Sequence, residues 1–310
     1  MNAYLRTFVL TAAIAVVSLM SANLILDPYR IFHAAIGKLT FQPNSRVYKL
    51  EFLSRHCIDY DAYFVGDSRA HILVGRDLKD IGGRRFYNLA APRDEITSIV
   101  RQLRFLIGNG CPVSAVIAGE SIDILSDGKD TSLLNTESPL ISGESRLAFL
   151  AKFLFSSQPL IDYLGQTTFG APLHFMYGAD GHVEYLWRMR SPAGLVAPSC
   201  RPPRLSEVEK RLLFSKLPAY RELADLAIRN HFQAIVWITP FSGWNQQVYD
   251  DPDVRRFFSQ LRSIPHLSVI DADRSSPMLS DFTLWTDCLH FRPPVFDELV
   301  APPILRLLSQ

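Results

Sequence analysis

The chain has 310 residues, enough for one sizeable α/β domain or two small ones, and its 32 basic and 31 acidic side chains nearly cancel. No basic stripe or tail stands out, which argues against a nucleic-acid partner and leaves the charges as a mixed solvated surface. The eight histidines are scattered without H-x-H or H-E-x-x-H spacing, and the four cysteines form no C-x-x-C pair, so no metal site is expected.

The first predicted element is apolar and unbroken. Residues 7–26 read TFVLTAAIAVVSLMSANLIL, without a charge and with Asn23 as the only strongly polar side chain. Such a run can cross a hydrocarbon core of about 30 Å at about 1.5 Å per residue. A cleaved signal peptide has a shorter apolar core and a small-residue cleavage site. Here the run continues through Leu24-Ile25-Leu26 with no clean A-x-A after it, so an uncleaved anchor is expected, ahead of a signal peptide or a buried helix. Arg6 before the span and Arg30 and Lys38 after it leave the positive-inside rule undecided. With so short a tail before the span, the C-terminal part is expected outside the cytoplasm, in the periplasm if the source is Gram-negative. The expected division is an anchor with its flank over 1–30, followed by one α/β domain over 31–310.

An exposed connector follows the span. Ser45 is then expected to cap a helix running to about His56, with Val47, Leu50 and Leu53 at helical spacing and Arg46 and Lys49 on the surface. Five apolar runs of buried parallel-strand type come next: Ala62–Gly66, Arg85–Leu89, Val113–Ala118, Gln233–Thr239 and Leu267–Asp271. Helical patterns at Glu95–Ile107, Ser206–Arg229 and Pro252–Ile264 separate several of them, and a last helix is expected at Val295–Leu308. The alternation predicts a parallel five-stranded sheet with helices on both faces. Residues 122–205 break the rhythm and read as an irregular insertion with short helices and a hairpin. Tyr177, Tyr185 and Trp187 within it are either a sugar-stacking platform or the insertion's own core.

Ligands of open parallel sheets bind beyond the carboxyl ends of the strands. Ser68, in a Gly66-Asp67-Ser68-Arg69 turn, follows the first run. Asn88 ends the second, Gly119-Glu120-Ser121 the third and Thr239-Pro240 the fourth. Near the C-terminus, Asp287-Cys288-Leu289-His290 sets a carboxylate three residues before an imidazole. A nucleophilic serine needs a base for its proton, and the base needs a carboxylate to orient it. Apart, each motif is weak: Ser68 is readable as a helix cap, His290 as a loop histidine and Asp287 as a cap. Together they make a candidate Ser68/His290/Asp287 set.

These residues resemble the SGNH (GDSL-type) hydrolase superfamily. Gly66-Asp67-Ser68 is similar to its nucleophile block and Asp287-x-x-His290 to its final block. The span, the connector and the "VGDSRA" turn together resemble membrane-anchored periplasmic SGNH-like proteins, including those of exopolysaccharide O-acetylation. The resemblance covers roughly 45–121 and 230–305. It implies a three-layer α/β/α sandwich, SGNH/flavodoxin-like, and no cofactor. It also implies Ser68 as nucleophile, His290 as base and Asp287 as its orienting partner. The N–H of Ser68 would be one oxyanion donor. Asn88, a backbone N–H near Ala91, Gly119, Ser121 and the anion-holding Arg69 would line the rest of the oxyanion and substrate site. The chain departs from the pattern in two blocks. No glycine stands after Asn88, and Ser121 occupies the place of an asparagine donor whose loss costs about 10²–10³ in rate elsewhere.

The implied function is a serine-dependent esterase or O-acetyltransferase. It would act on an acylated cell-surface glycan or a small ester, with a membrane acyl-transfer partner as a further implied component. The competing reading is a degenerate domain that binds a glycan or organises a membrane polysaccharide-modification complex. A flavodoxin-like binding fold is a third, for which no short phosphate loop is found.

Cys57 lies nine residues before Gly66, and Cys111 eight before Gly119. In the doubly wound order their strands are parallel neighbours about 4.8 Å apart. A Cys57–Cys111 bridge at the amino-terminal edge is therefore geometrically feasible. The alternative is two buried thiols, and a second bridge, Cys200–Cys288, is also open.

Overall fold

The computed structural model describes residues 3–32, 43–71, 83–121, 132–169, 175–177, 181, 183–185, 205–242, 246–272, 274–285 and 289–310. The expectations for Asp287, Cys200, Cys288 and Trp187 fall outside these residues. For Tyr177 and Tyr185 only the backbone is described.

Two compact units emerge, one of 1–51 with 131–176 and one of 52–130 with 177–310. The first unit begins with α1 (Ala3–Leu26), which is long and apolar enough to cross a membrane. Its other helices are α5 (Pro139–Ser142), α6 (Arg146–Phe155) and α7 (Gln158–Phe169). The unit has a small apolar core of Tyr29 and Ile31 from the segment after α1, Val47, and Phe149 and Phe153 of α6. The Asn23 amide donates to the Phe153, Leu154 and Ser156 carbonyls at 2.8–3.0 Å, which ties the end of α1 to the last carbonyls of α6, left over by the helix's own ladder.

The chain crosses to the second unit within α2 (Ser45–His56). Val47, Leu50 and Leu53 are all fully buried, as their spacing predicts. Two expectations here are corrected. The cap is Asn44, whose Oδ1 accepts from the Val47 N–H at 3.2 Å, and not Ser45. Lys49 is buried rather than on the surface, because the 3.6-residue period sets it beside Leu50 and Leu53 on the inward stripe. Arg46 is half-buried and donates to the Asn135 carbonyl at 2.9 Å.

The second unit holds a parallel five-stranded sheet of β1 (Ala62–Val65), β2 (Phe86–Asn88), β3 (Ala115–Glu120), β6 (Gln233–Ile238) and β7 (Leu267–Asp271). Their order is β2-β1-β3-β6-β7, with register Phe64↔Asn88, Val65↔Ala118, Gly119↔Trp237 and Val236↔Val269. The first four strands are buried almost throughout, which explains their near-continuous apolar sequence. Between β3 and β6 in sequence come two short strands, β4 (Phe175–Tyr177) and β5 (Val183–Tyr185), which pair with each other in a separate sheet.

Helices α3 (Ser68–His71) and α4 (Ile96–Gly108) follow β1 and β2. The single helix expected over Ser206–Arg229 is two, α8 (Glu207–Ser215) and α9 (Leu217–Asn230). Pro218 lacks an N–H and clashes with the preceding turn, so the helix restarts there with Lys216 at the break. Ser206 and Glu209 close a capping box at the start of α8. Helix α10 (Pro252–Arg262) precedes β7, and α11 (Ala301–Leu308) ends the chain after a π-helical stretch at Phe296–Val300. That stretch runs into Pro302 and Pro303, which cannot donate the N–H groups of a regular helix. Phe296, Val300, Ala301, Ile304 and Leu308 pack with Phe64, Ile117, Ile235 and Trp237 in one core.

Cys57 and Cys111 form a disulfide with Cα atoms 5.4 Å apart, just before β1 and β3. The expected bridge follows from β1 and β3 being hydrogen-bonded neighbours.

Candidate functional site

The carboxyl ends of β1, β3 and β6 bring Ser68, Ser121 and Thr239 to one edge of the sheet. The turn after β1 begins at Gly66, with φ +136°, a backbone region that side chains avoid. A Cβ there would stand 3.0 Å from the Gly119 carbonyl oxygen and 3.1 Å from Ala70. Glycine is therefore required both for the turn and for the approach of β1 to β3.

Asp67 caps the short helix that follows. Its Oδ1 accepts from the Arg69 N–H at 2.8 Å, and its carbonyl accepts from the His71 N–H at 3.0 Å. Ser68 is therefore not the cap, and its hydroxyl is left for other use. Oγ lies 2.8 Å from Nε2 of His290, a partner 222 residues away. Both side chains are half-buried, within reach of solvent. His290 is held by its neighbour Phe291, which is buried, bridges antiparallel to Trp285 and stacks edge-on against Trp285 and Trp237. The Arg292 N–H to Leu284 carbonyl bond, 2.7 Å long, closes the same loop.

Arg69 turns inward and is 2% exposed. Its Nη1 donates to the hydroxyls of Ser121 at 2.8 Å and Thr239 at 2.7 Å, and the guanidinium sits over the Phe241 ring at 4.7 Å. The two hydroxyls are 3.0 Å apart, and the Thr239 hydroxyl also reaches the Glu120 carbonyl at 3.0 Å. Ser121 thus stands at the predicted edge as the partner of a buried cation.

The remaining candidates occupy the same end of the sheet with their polar groups engaged. The Asn88 amide donates to the Ala70 carbonyl at 2.7 Å and the His71 carbonyl at 3.3 Å, and its Oδ1 accepts from the Ala90 N–H. These bonds tie the β2 end to α3. The Ala91 N–H donates to the Gly66 carbonyl at 3.0 Å, and the Leu89 N–H to the Phe64 carbonyl at 2.8 Å. Gly119 lies under the Trp237 indole, where a Cβ would come within 3.1 Å of the ring.

A buried network below Ser121 escaped the sequence reading. Lys216, at the α8–α9 break, donates to Glu120 Oε1 at 2.8 Å and to the Ser121 carbonyl at 3.4 Å. Tyr220 donates to Glu120 Oε2. Burial, with the Glu120 and Asp67 charges adding to it, pushes the Tyr220 hydroxyl well above its ordinary pKa, so it stays a donor. The one available signal was Pro218 inside a helical pattern, which marks a break and frees Lys216 from the helix surface. Asp67 Oδ2 and Trp237 Nε1 are buried and have no hydrogen-bond partner among the described residues.

Comparison of the chain with family models, with curated proteins and with solved structures finds no match. No cluster of potential metal ligands occurs among the described residues. The arrangement provides a hydroxyl paired with an imidazole at an accessible edge, beside a buried guanidinium. Its available chemistry is serine nucleophilic attack with histidine as base.

Proposed function

We propose that the chain is an SGNH-like serine esterase or O-acetyltransferase with a three-layer α/β/α domain. An N-terminal helix anchors it, and its substrate is an acylated extracytoplasmic glycan or a small ester. The carrying observation is the 2.8 Å contact between Ser68 Oγ and His290 Nε2, with the serine freed from capping by Asp67. In this reading His290 takes the Ser68 proton as Oγ attacks the ester carbonyl, and Asp287 orients the imidazole. The tetrahedral oxyanion faces the Ser68 N–H and expels the alcohol, which receives the proton from His290. Water or a sugar hydroxyl then attacks the acyl-serine by the same route in reverse. The Cys57–Cys111 disulfide favours an oxidising compartment, in keeping with a domain outside the cytoplasm.

One observation favours the second reading, a domain that binds glycan or organises a membrane complex without turnover. The groups proposed as further oxyanion donors are engaged elsewhere: Asn88 on Ala70 and His71, Ala91 on Gly66, and the Ser121 hydroxyl with Arg69. The test is a serine-directed fluorophosphonate applied to the full chain, followed by peptide mapping and an acetyl-ester assay. An adduct on Ser68, lost in Ser68→Ala and in His290→Ala, supports the enzyme. No adduct and no turnover in folded protein leaves the binding reading.

A further inference from the structure

Residues 3–18 of α1 are exposed at every position, and packing on the rest of the first unit begins at Ser18's successors, Leu19 and Met20. The free part of the apolar run, residues 7–18, reaches about 18 Å at about 1.5 Å per residue, short of a hydrocarbon core of about 30 Å. A crossing by α1 therefore has to use residues 19–26 as well, where Leu19, Met20 and Ala22 are half-buried and Asn23 is buried; α6 and α7 are helices that pack on α1.

The docking is fixed at two points. Asn23 holds the end of α6 through three carbonyls, and Tyr29 donates its hydroxyl to Asp162 of α7. The depth of α1 thus sets the depth of both helices. Outside α1, the exposed large apolar side chains among this unit's described residues are Leu147, Phe155, Ile161 and Leu164, on α6 and α7. Phe155 is 58% exposed and lies between Leu154 and Ser156, two of the residues that hold Asn23; Ile161 is 62% and Leu164 49% exposed.

We propose that α6 and α7 form a second membrane contact, seating Phe155, Ile161 and Leu164 in the headgroup–acyl boundary of the bilayer that α1 crosses. The inference rests on reading α1 as a span. The side chains fit that layer, into which aromatic and aliphatic groups enter. Asn23, at the same level, has its N–H groups satisfied by the Phe153, Leu154 and Ser156 carbonyls, while its Oδ1 is buried with no hydrogen-bond partner among the described residues.

The test uses the full chain in vesicles whose lipids carry bromine along the acyl chains, a short-range quencher of tryptophan. Phe155→Trp, Ile161→Trp and Leu164→Trp report on the contact, and Val16→Trp reports on the span; wild-type emission is subtracted. Quenching and a blue shift for Val16→Trp together with those of the α6–α7 reporters support the inference. Quenching of Val16→Trp alone overturns it while the anchor stands, and gives the apolar face to a protein neighbour. No quenching at Val16 overturns both. The three α6–α7 substitutions are at exposed sites, so loss of fold in any one leaves two reporters.

Discussion

The Arg69 guanidinium donates to the Ser121 hydroxyl at 2.8 Å, across 52 positions of sequence. The residue after the proposed nucleophile thus reaches under the site and holds the end of β3, while the Asp67 carboxylate holds its own N–H. A cation this buried is tolerated only when its hydrogen bonds are met and opposite charge is near. Arg69→Met removes bonds to both Ser121 and Thr239 and leaves those hydroxyls each other and the Glu120 carbonyl that Thr239 reaches. The expected loss of stability is about 2–4 kcal/mol, read from urea unfolding. Arg69→Lys restores the charge without the fork and should recover part of that loss. Unfolding of Arg69→Met at the wild-type midpoint would remove Arg69 from the architecture of the site.

Asp67 and Ser68 should respond in opposite ways. Asp67→Ala deletes a helix cap and is expected to cost about 1 kcal/mol. Ser68→Ala deletes a hydroxyl whose contact is with His290, and is expected to stay within about 0.5 kcal/mol of wild type. It should nevertheless abolish fluorophosphonate labelling and ester turnover. EDTA should leave both intact. A stability loss above about 1 kcal/mol for Ser68→Ala, with Asp67→Ala neutral, would make the serine the capping residue.

The sheet was legible because buried parallel strands show as apolar runs: four strands lie within the segments predicted for them, and β3 overlaps its segment but runs on past Ala118 to Glu120. Ser68, Ser121 and Thr239 were legible as a shared edge because parallel strands put all their carboxyl ends on one side. The reading failed where a residue's role depends on partners far along the chain. Lys49 looks like a surface lysine until the helix phase is fixed by Leu50 and Leu53. Lys216 and Tyr220 meet Glu120 across 96 and 100 positions. Neither local propensity nor periodicity encodes that meeting. Asn88 was placed at the right edge, but its amide has an architectural use there that sequence pattern does not register.

The Cys57–Cys111 bridge joins residues 54 apart. In the loop-entropy description, closing a loop of that length is worth about 4 kcal/mol through the unfolded chain. Cys57→Ala with Cys111→Ala is expected to lower stability by about 2–4 kcal/mol. Both residues sit at the amino-terminal edge of the sheet, so fluorophosphonate labelling of Ser68 should persist in whatever fraction stays folded. Loss of labelling in folded double variant would mean that the bridge positions the opposite edge.

Alkaline titration tests the buried network. Burial and the neighbouring Glu120 charge raise the Tyr220 pKa above its ordinary 10.0, and burial also raises those of Tyr29 and Tyr63. A group whose folded pKa is raised contributes stability in full below its unfolded pKa and loses it as pH climbs toward the folded value. Stability governed by these groups should therefore hold up to about pH 10 and fall above it, by about 1.4 kcal/mol per pH unit for Tyr220 alone. Tyr220→Phe takes a donor from Glu120 Oε2 and should be about 1–3 kcal/mol less stable at neutral pH. It should also fall less steeply above pH 10, because one titrating tyrosine is gone. Chemical denaturation at a series of pH values measures both. An unchanged alkaline slope in Tyr220→Phe would show that Tyr220 is not held protonated by its burial against Glu120.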